Sequence, residues 1–190
     1  MPGSEPPLHR IPARMRPIRA HVTISAPRED VYDLVADLAG RVAWCDHYQR
    51  EYRLTRPRSS GSGAAARFMI KAPFNRTWVE LAIAEADRPR IIRERLRLGR
   101  LGRTPGWVEY EFSPQGAGAT RIDLVLWTEP ATGLDAFKEA LGARRWLRRK
   151  VKKSLNRLRA IFEERPGDAP LARATIAGYE PAKAARFGSF

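Results

Sequence analysis

Ile18, Ala20, Val22 and Ile24 alternate with Arg19, His21 and Thr23, a period of two that buries one face of a β-strand and leaves the other wet. A strand over 17–25 is expected. The period then lengthens. Ser25-Ala26-Pro27-Arg28-Glu29-Asp30 offers a capping serine, an early proline and two first-turn acids, after which Val31, Tyr32, Val35 and Leu38 recur at helical spacing. These predict a helix of about ten residues, broken at Gly40. Val42, Ala43, Trp44 and Tyr48 predict a second short helical turn before a strand that contains Tyr52 and Leu54.

An antiparallel meander follows. Strand formers fill 67–71, 76–86, 91–98, 107–112 and 121–127, with turn residues between them. The connectors Pro73-Phe74-Asn75, Asp87-Arg88-Pro89 and Pro114-Gln115-Gly116-Ala117-Gly118 are too short for parallel crossovers of about a dozen residues, so hairpins are expected. Leu98-Gly99-Arg100-Leu101-Gly102-Arg103 does not join a strand to a helix as a phosphate-binding loop must, and reads as a further hairpin loop. Over 134–164, Phe137, Leu141, Leu147, Val151, Leu155, Leu158 and Phe162 gather on one side at the angular step of an α-helix, which predicts the longest helix of the chain.

These elements occupy 17–164, and 190 residues are enough for one core but not for two. Residues 1–16, with repeated prolines and scattered arginines, read as a flexible basic arm; 165–190, with proline breaks and isolated large apolar residues, read as a weakly ordered tail. Cys45 is the sole cysteine, which excludes an internal disulfide and a multi-cysteine metal site and fits a reducing compartment. No apolar run reaches the roughly 18 residues that span a bilayer, and the first residues lack a signal-peptide core. A cytoplasmic protein, at most peripheral to a membrane, is expected.

The segment Ile24-Ser25-Ala26-Pro27-Arg28-Glu29-Asp30-Val31-Tyr32-Asp33-Leu34-Val35-Ala36-Asp37-Leu38, the Trp44 that follows, and the order of elements over 17–164 resemble the START-like or SRPBCC superfamily, in its polyketide cyclase/dehydrase and lipid transport type. One departure is visible: Gly40-Arg41-Val42-Ala43-Trp44 holds a single Trp where that type often has Trp-Pro or Trp-x-x-Trp. The resemblance implies an α+β helix-grip fold, a curved antiparallel sheet of about seven strands wrapped around a long C-terminal helix, with two short helices after the first strand. It also implies a hydrophobic cavity between sheet and helix. The function implied is binding or transport of a hydrophobic small molecule that is lipid, polyketide or isoprenoid-like, with no cofactor. The alternatives are an enzyme of the polyketide cyclase, aromatase or dehydratase kind, and an adaptor at an anionic membrane surface.

Alternation also sorts faces. Ile92, Leu96 and Leu98 share one face with Glu94, while Arg93, Arg95 and Arg97 share the other. An inward carboxylate is costly unless paired. Arg144, at nearly the helical angle of Phe137, Val151 and Phe162, is the expected partner, and Tyr110, inward with Val108 and Phe112, is a second. Glu94, Tyr110 and Arg144 either form the polar end of a ligand pocket, with Glu94 and Tyr110 the candidates for proton transfer, or make a structural ion pair whose long side chains reach water. Tyr52, Phe68 and Trp78 either line that pocket or are plain core. His9, His21 and His47 form no catalytic array, Cys45 reads as a buried structural thiol, and no spacing suits a metal.

The formal charge is +14, and Arg144 to Arg159 carries nine basic residues and no acidic one. Arg149, Lys150, Lys152, Lys153 and Arg157 fall away from the apolar stripe, with Trp146 among them. A tryptophan flanked by cations suits docking on an anionic membrane. Nucleic acid is disfavoured because no recognition motif accompanies the charge. A plain solvated helix face is the remaining reading.

Overall fold

The computed structural model of the protein describes residues 17–72, 75–99, 104–129 and 143–163. The expected arm and tail, and the 134–142 part of the expected last helix with Phe137 and Leu141, lie outside the described residues. In chain order the elements are β1 (Ile18–Ile24), α1 (Arg28–Ala36), α2 (Val42–Cys45), β2 (Gln49–Leu54), β3 (Ala65–Ala72), β4 (Asn75–Asp87), β5 (Ile91–Leu98), β6 (Thr104–Gln115), β7 (Ala119–Thr128) and α3 (Arg144–Glu163). The strands form one curved antiparallel sheet in the order β1-β7-β6-β5-β4-β3-β2. Strands β2 to β7 therefore pair as a meander of hairpins, while β1 returns from the start of the chain to pair with β7, Ile18 opposite Leu126 and Ile24 opposite Thr120.

Burial follows the patterns that the residues dictate. β1 buries every second residue, α1 buries Val31, Tyr32, Val35 and Ala36, and α3 buries Val151, Ser154, Leu155 and Leu158 at helical spacing. Tyr32 meets Phe112 edge to face at 5.3 Å, which seats α1 on the inner face of β6. Ser25 does not cap α1. Pro27 holds the N-cap position without a side-chain bond, and the Thr120 hydroxyl donates instead to the Ala26 carbonyl at 2.8 Å.

One irregularity reaches the interior. β2 shifts register against β3 between Arg50 and Arg53, and Glu51 sits at φ 51°, a left-handed conformation that a β-bulge can hold. The extra residue places both Gln49 and Tyr52 inward, where strict alternation would separate them. Among the described residues no helix is long and apolar enough to cross a membrane.

Candidate functional site

Glu94 projects from β5 between the buried Ile92 and Leu96, as alternation requires. Its partner comes from the turn between α1 and α2, not from the last helix. Arg41, at the N-cap of α2, sends its guanidinium inward, with Nη2 2.5 Å from Glu94 Oε1 and Nη1 3.1 Å from Oε2. Nη1 also reaches the Tyr110 hydroxyl at 3.4 Å, and Nη2 donates to the Val35 carbonyl at 3.2 Å. The cation stacks between the rings of Trp44 and Tyr110, at 5.1 and 5.6 Å from their centroids. Burial opposes the charge on Arg41, but the adjacent Glu94 carboxylate more than offsets this and holds the guanidinium protonated. Burial also pushes the Tyr110 phenol well above its ordinary value, so it stays neutral and acts as a hydrogen-bonding group.

The pair closes the polar end of an interior cavity of about 50 Å³. Phe68, Leu81, Val108 and Leu124 from the sheet and Leu147 and Val151 from α3 supply apolar wall. The polar atoms are incompletely paired. Arg41 Nε, Trp44 Nε1, Gln49 Oε1 and Tyr52 Oη are buried without a hydrogen-bond partner, and Arg41, Trp44 and Gln49 all line this cavity. Two donors, an acceptor and a hydroxyl thus lack partners around a largely apolar interior, where each unmet bond is costly.

Of the residues singled out in the sequence, Glu94, Tyr110 and Phe68 line the cavity. Tyr52 stacks on Phe68, with ring centroids 5.5 Å apart and planes 13° from parallel, and so backs the wall. Two expectations are corrected. Arg144 is half-buried in the first turn of α3 and is not the partner of Glu94, because Arg41 occupies that carboxylate bidentately. Trp78 is 38% exposed on the outer face, beneath the Arg67 guanidinium at 4.4 Å, because Val79, Leu81 and Ile83 take the inward positions of β4.

The basic helix divides in a similar way. Trp146 is half-buried, edge-on to Tyr48 at 6.5 Å with Lys150 Nζ 5.5 Å from its ring centroid, and does not stand free on a solvent face. Arg157 is an internal tie: it pairs with Asp46 and donates to the Ala43 carbonyl at 3.3 Å, while Nη1 lies 3.3 Å from His47 Nδ1. Arg149, Lys152 and Lys153 are exposed. Cys45 is buried 3.6 Å from the Ser154 hydroxyl, and burial pushes its thiol up to about 12, which makes it a poor nucleophile at neutral pH. Among the described residues no three His, Cys, Asp or Glu side chains gather to hold a metal ion.

Arg41, Trp44 and Gln49 are the site residues that sequence reasoning missed. A signal existed for the first: Arg41 is a lone cation in the apolar run Leu38-Ala39-Gly40-Arg41-Val42-Ala43-Trp44, and an inward Glu94 needed a cation. Gln49 carried none, since only the bulge turns it inward.

A curved sheet gripping a C-terminal helix, with a polar clamp sealed inside it, defines a START-like helix-grip domain. The chain belongs to the polyketide cyclase / dehydrase and lipid transport family, whose model matches residues 15–163. Among solved structures it is similar to an aromatase/cyclase, Zhui, from Streptomyces sp. R1128, at 18% identity over 80% of this chain and 95% of that chain with a TM-score of 0.64. A Thermus thermophilus protein is similar at 19% identity over 80% of this chain and 100% of that chain, with a TM-score of 0.61. A START superfamily protein from Mycobacterium smegmatis follows at 14% identity over 78% and 97%, with a TM-score of 0.57. At such identities these structures establish the fold alone. No curated protein sequence matches the chain.

Proposed function

We propose that the protein binds and carries an uncharged, oxygen-bearing apolar molecule, with its oxygen end at Arg41, Trp44 and Gln49. The observation that carries this reading is the set of buried, unpartnered polar atoms beside a neutralised ion pair in an apolar cavity. A ligand hydroxyl or carbonyl would satisfy those atoms without bringing a new charge. A carboxylate would instead have to approach Glu94, which already neutralises Arg41, and would be buried with an uncompensated charge. Ligand pockets run to about 300–1,000 Å³, so the cavity of about 50 Å³ receives the polar end, and the apolar body is admitted by outward displacement of the α3 wall at Leu147 and Val151.

A polyketide cyclase, aromatase or dehydratase would use the same cavity and move a proton through Glu94 or Tyr110. The bidentate hold of Arg41 on Glu94 and the neutral Tyr110 phenol favour holding a ligand over transferring its protons. A cytoplasmic carrier of this kind would collect its cargo at membranes.

The test uses Nile red, an uncharged apolar dye with a carbonyl, displaced by oleyl alcohol or by oleate, which share one tail and differ in the head. Oleyl alcohol should compete at least about tenfold better than oleate, the scale of one unpaired buried charge. Val151→Trp, which fills the cavity, should abolish dye binding. Equal or better competition by oleate, or dye binding indifferent to Val151→Trp, overturns the reading.

A further inference from the structure

A second concavity, of about 470 Å³, runs beside α3 outside the interior cavity. Arg148, Lys152 and Asn156 line it from one stripe of the helix, four residues apart along the chain. Arg19 and His21 line it from the outer face of β1, and Asp123 and Val125 from β7, where His21 stands opposite Asp123 and Arg19 opposite Val125. The cations are exposed, and among the described residues Arg19, Arg148 and Lys152 have no ion-pair partner. The one carboxylate in the wall is already taken: Arg121 holds Asp123 with two hydrogen bonds of 2.7 and 2.8 Å.

Three basic side chains from opposite ends of the described chain thus line one groove that offers them no free anion. Like charges gathered on low-dielectric walls repel one another and focus a positive field into the groove. An anion with several acceptor oxygens relieves both effects through charge-assisted hydrogen bonds. We propose that this groove is a binding site for a phosphoryl group, held by Arg19, Arg148 and Lys152, with Asn156 and His21 as further polar partners. Ala20 and Leu124 complete the lining, and Leu124 is shared with the interior cavity, whereas Arg19, Arg148 and Lys152 line the groove alone.

Two probes distinguish where the phosphoryl group resides: vesicles of phosphatidylglycerol in phosphatidylcholine, and inorganic pyrophosphate, each titrated at low salt with the whole protein. Binding of vesicles alone identifies a lipid headgroup, and binding of pyrophosphate identifies a soluble phosphate compound. In either case Arg148→Gln/Lys152→Gln should weaken binding about tenfold or more, as expected when two charge-assisted contacts are lost. The control Arg149→Gln/Lys153→Gln removes the same charge from the same helix outside the groove and should weaken binding less than about threefold. Failure of the wild-type protein to bind either probe overturns the proposal. So does a loss in the groove variant no larger than in the control, which would mark a diffuse basic surface with no built site.

Discussion

Two arginine–carboxylate pairs in this molecule are both bidentate and differ in their surroundings. Arg41 meets Glu94 with hydrogen bonds of 2.5 and 3.1 Å, and Arg88 meets Asp33 with bonds of 2.7 and 2.9 Å. The first pair has side chains 1% and 0% exposed; in the second both are 55% exposed. On the surface, water stands ready to replace either partner, so the pair decorates the junction of α1 with the β4–β5 turn. In the interior nothing can replace a lost partner, and each charge exists only because the other does. Environment, not bond geometry, decides which pair holds the site together.

The largest effect should follow from breaking the inner pair. Glu94→Ala leaves a buried, uncompensated guanidinium, and a destabilisation of about 3–5 kcal/mol is expected in urea unfolding. A loss below about 1 kcal/mol would mean that Arg41 reaches water, and would erase the contrast with the surface pair.

His47 lies between the two extremes. Its half-buried ring accepts from Arg157 at Nδ1 (3.3 Å), while Nε2 lies 3.2 Å from the Lys150 carbonyl, which assigns the neutral tautomer with the proton on Nε2. Burial first, then the charges of Arg157, Lys150 and Lys153, lower its pKa below the ordinary 6.5, against the opposing pull of the Lys150 carbonyl. Asp46 also faces this cluster, through Arg157. As pH falls the unfolded chain takes up this proton before the folded one does. The stability that neutral His47 contributes is therefore present above pH 6.5 and lost as pH falls through the folded-state value. Urea midpoints measured downward from neutral pH should decline in the wild type and decline less in His47→Gln. Parallel declines in the two proteins would place the titrating group elsewhere.

The smallest effect should come from Asp33→Asn. Arg88 holds the Asp33 carboxyl below its usual range, yet both side chains are open to solvent and screened. The urea midpoint at neutral pH should stay within experimental scatter. A drop approaching that of Glu94→Ala would show that the exposed pair, too, is structural.

Much of the architecture was legible because it is periodic. Alternation in β1 and β5 and helical spacing in α1 and α3 named the buried faces, and short Gly-, Pro- and Asn-bearing connectors required hairpins. Alternation alone turns Glu94 inward, and it is buried between Ile92 and Leu96. Trp78 shows parity overruling residue type: aromatics favour burial, but once Val79, Leu81 and Ile83 face in, Trp78 must face out. The irregular positions were not legible in this way. Tyr52 and Gln49 share the interior only through the Glu51 bulge, and no repeating pattern announces a bulge.

The sequence by itself determined the elements, their antiparallel order, the inward carboxylate and the basic helix, because each depends on neighbours a few residues away. Tertiary structure alone decided which cation meets Glu94 and which cations line one groove. Arg41 lies 53 positions from Glu94 on a non-repeating turn, and Arg19 joins Arg148 and Lys152 only because β1 returns to pair with β7 beside α3. Backbone sterics and burial write local periodicity into a chain. The partner of a buried charge is set by where distant segments come to rest.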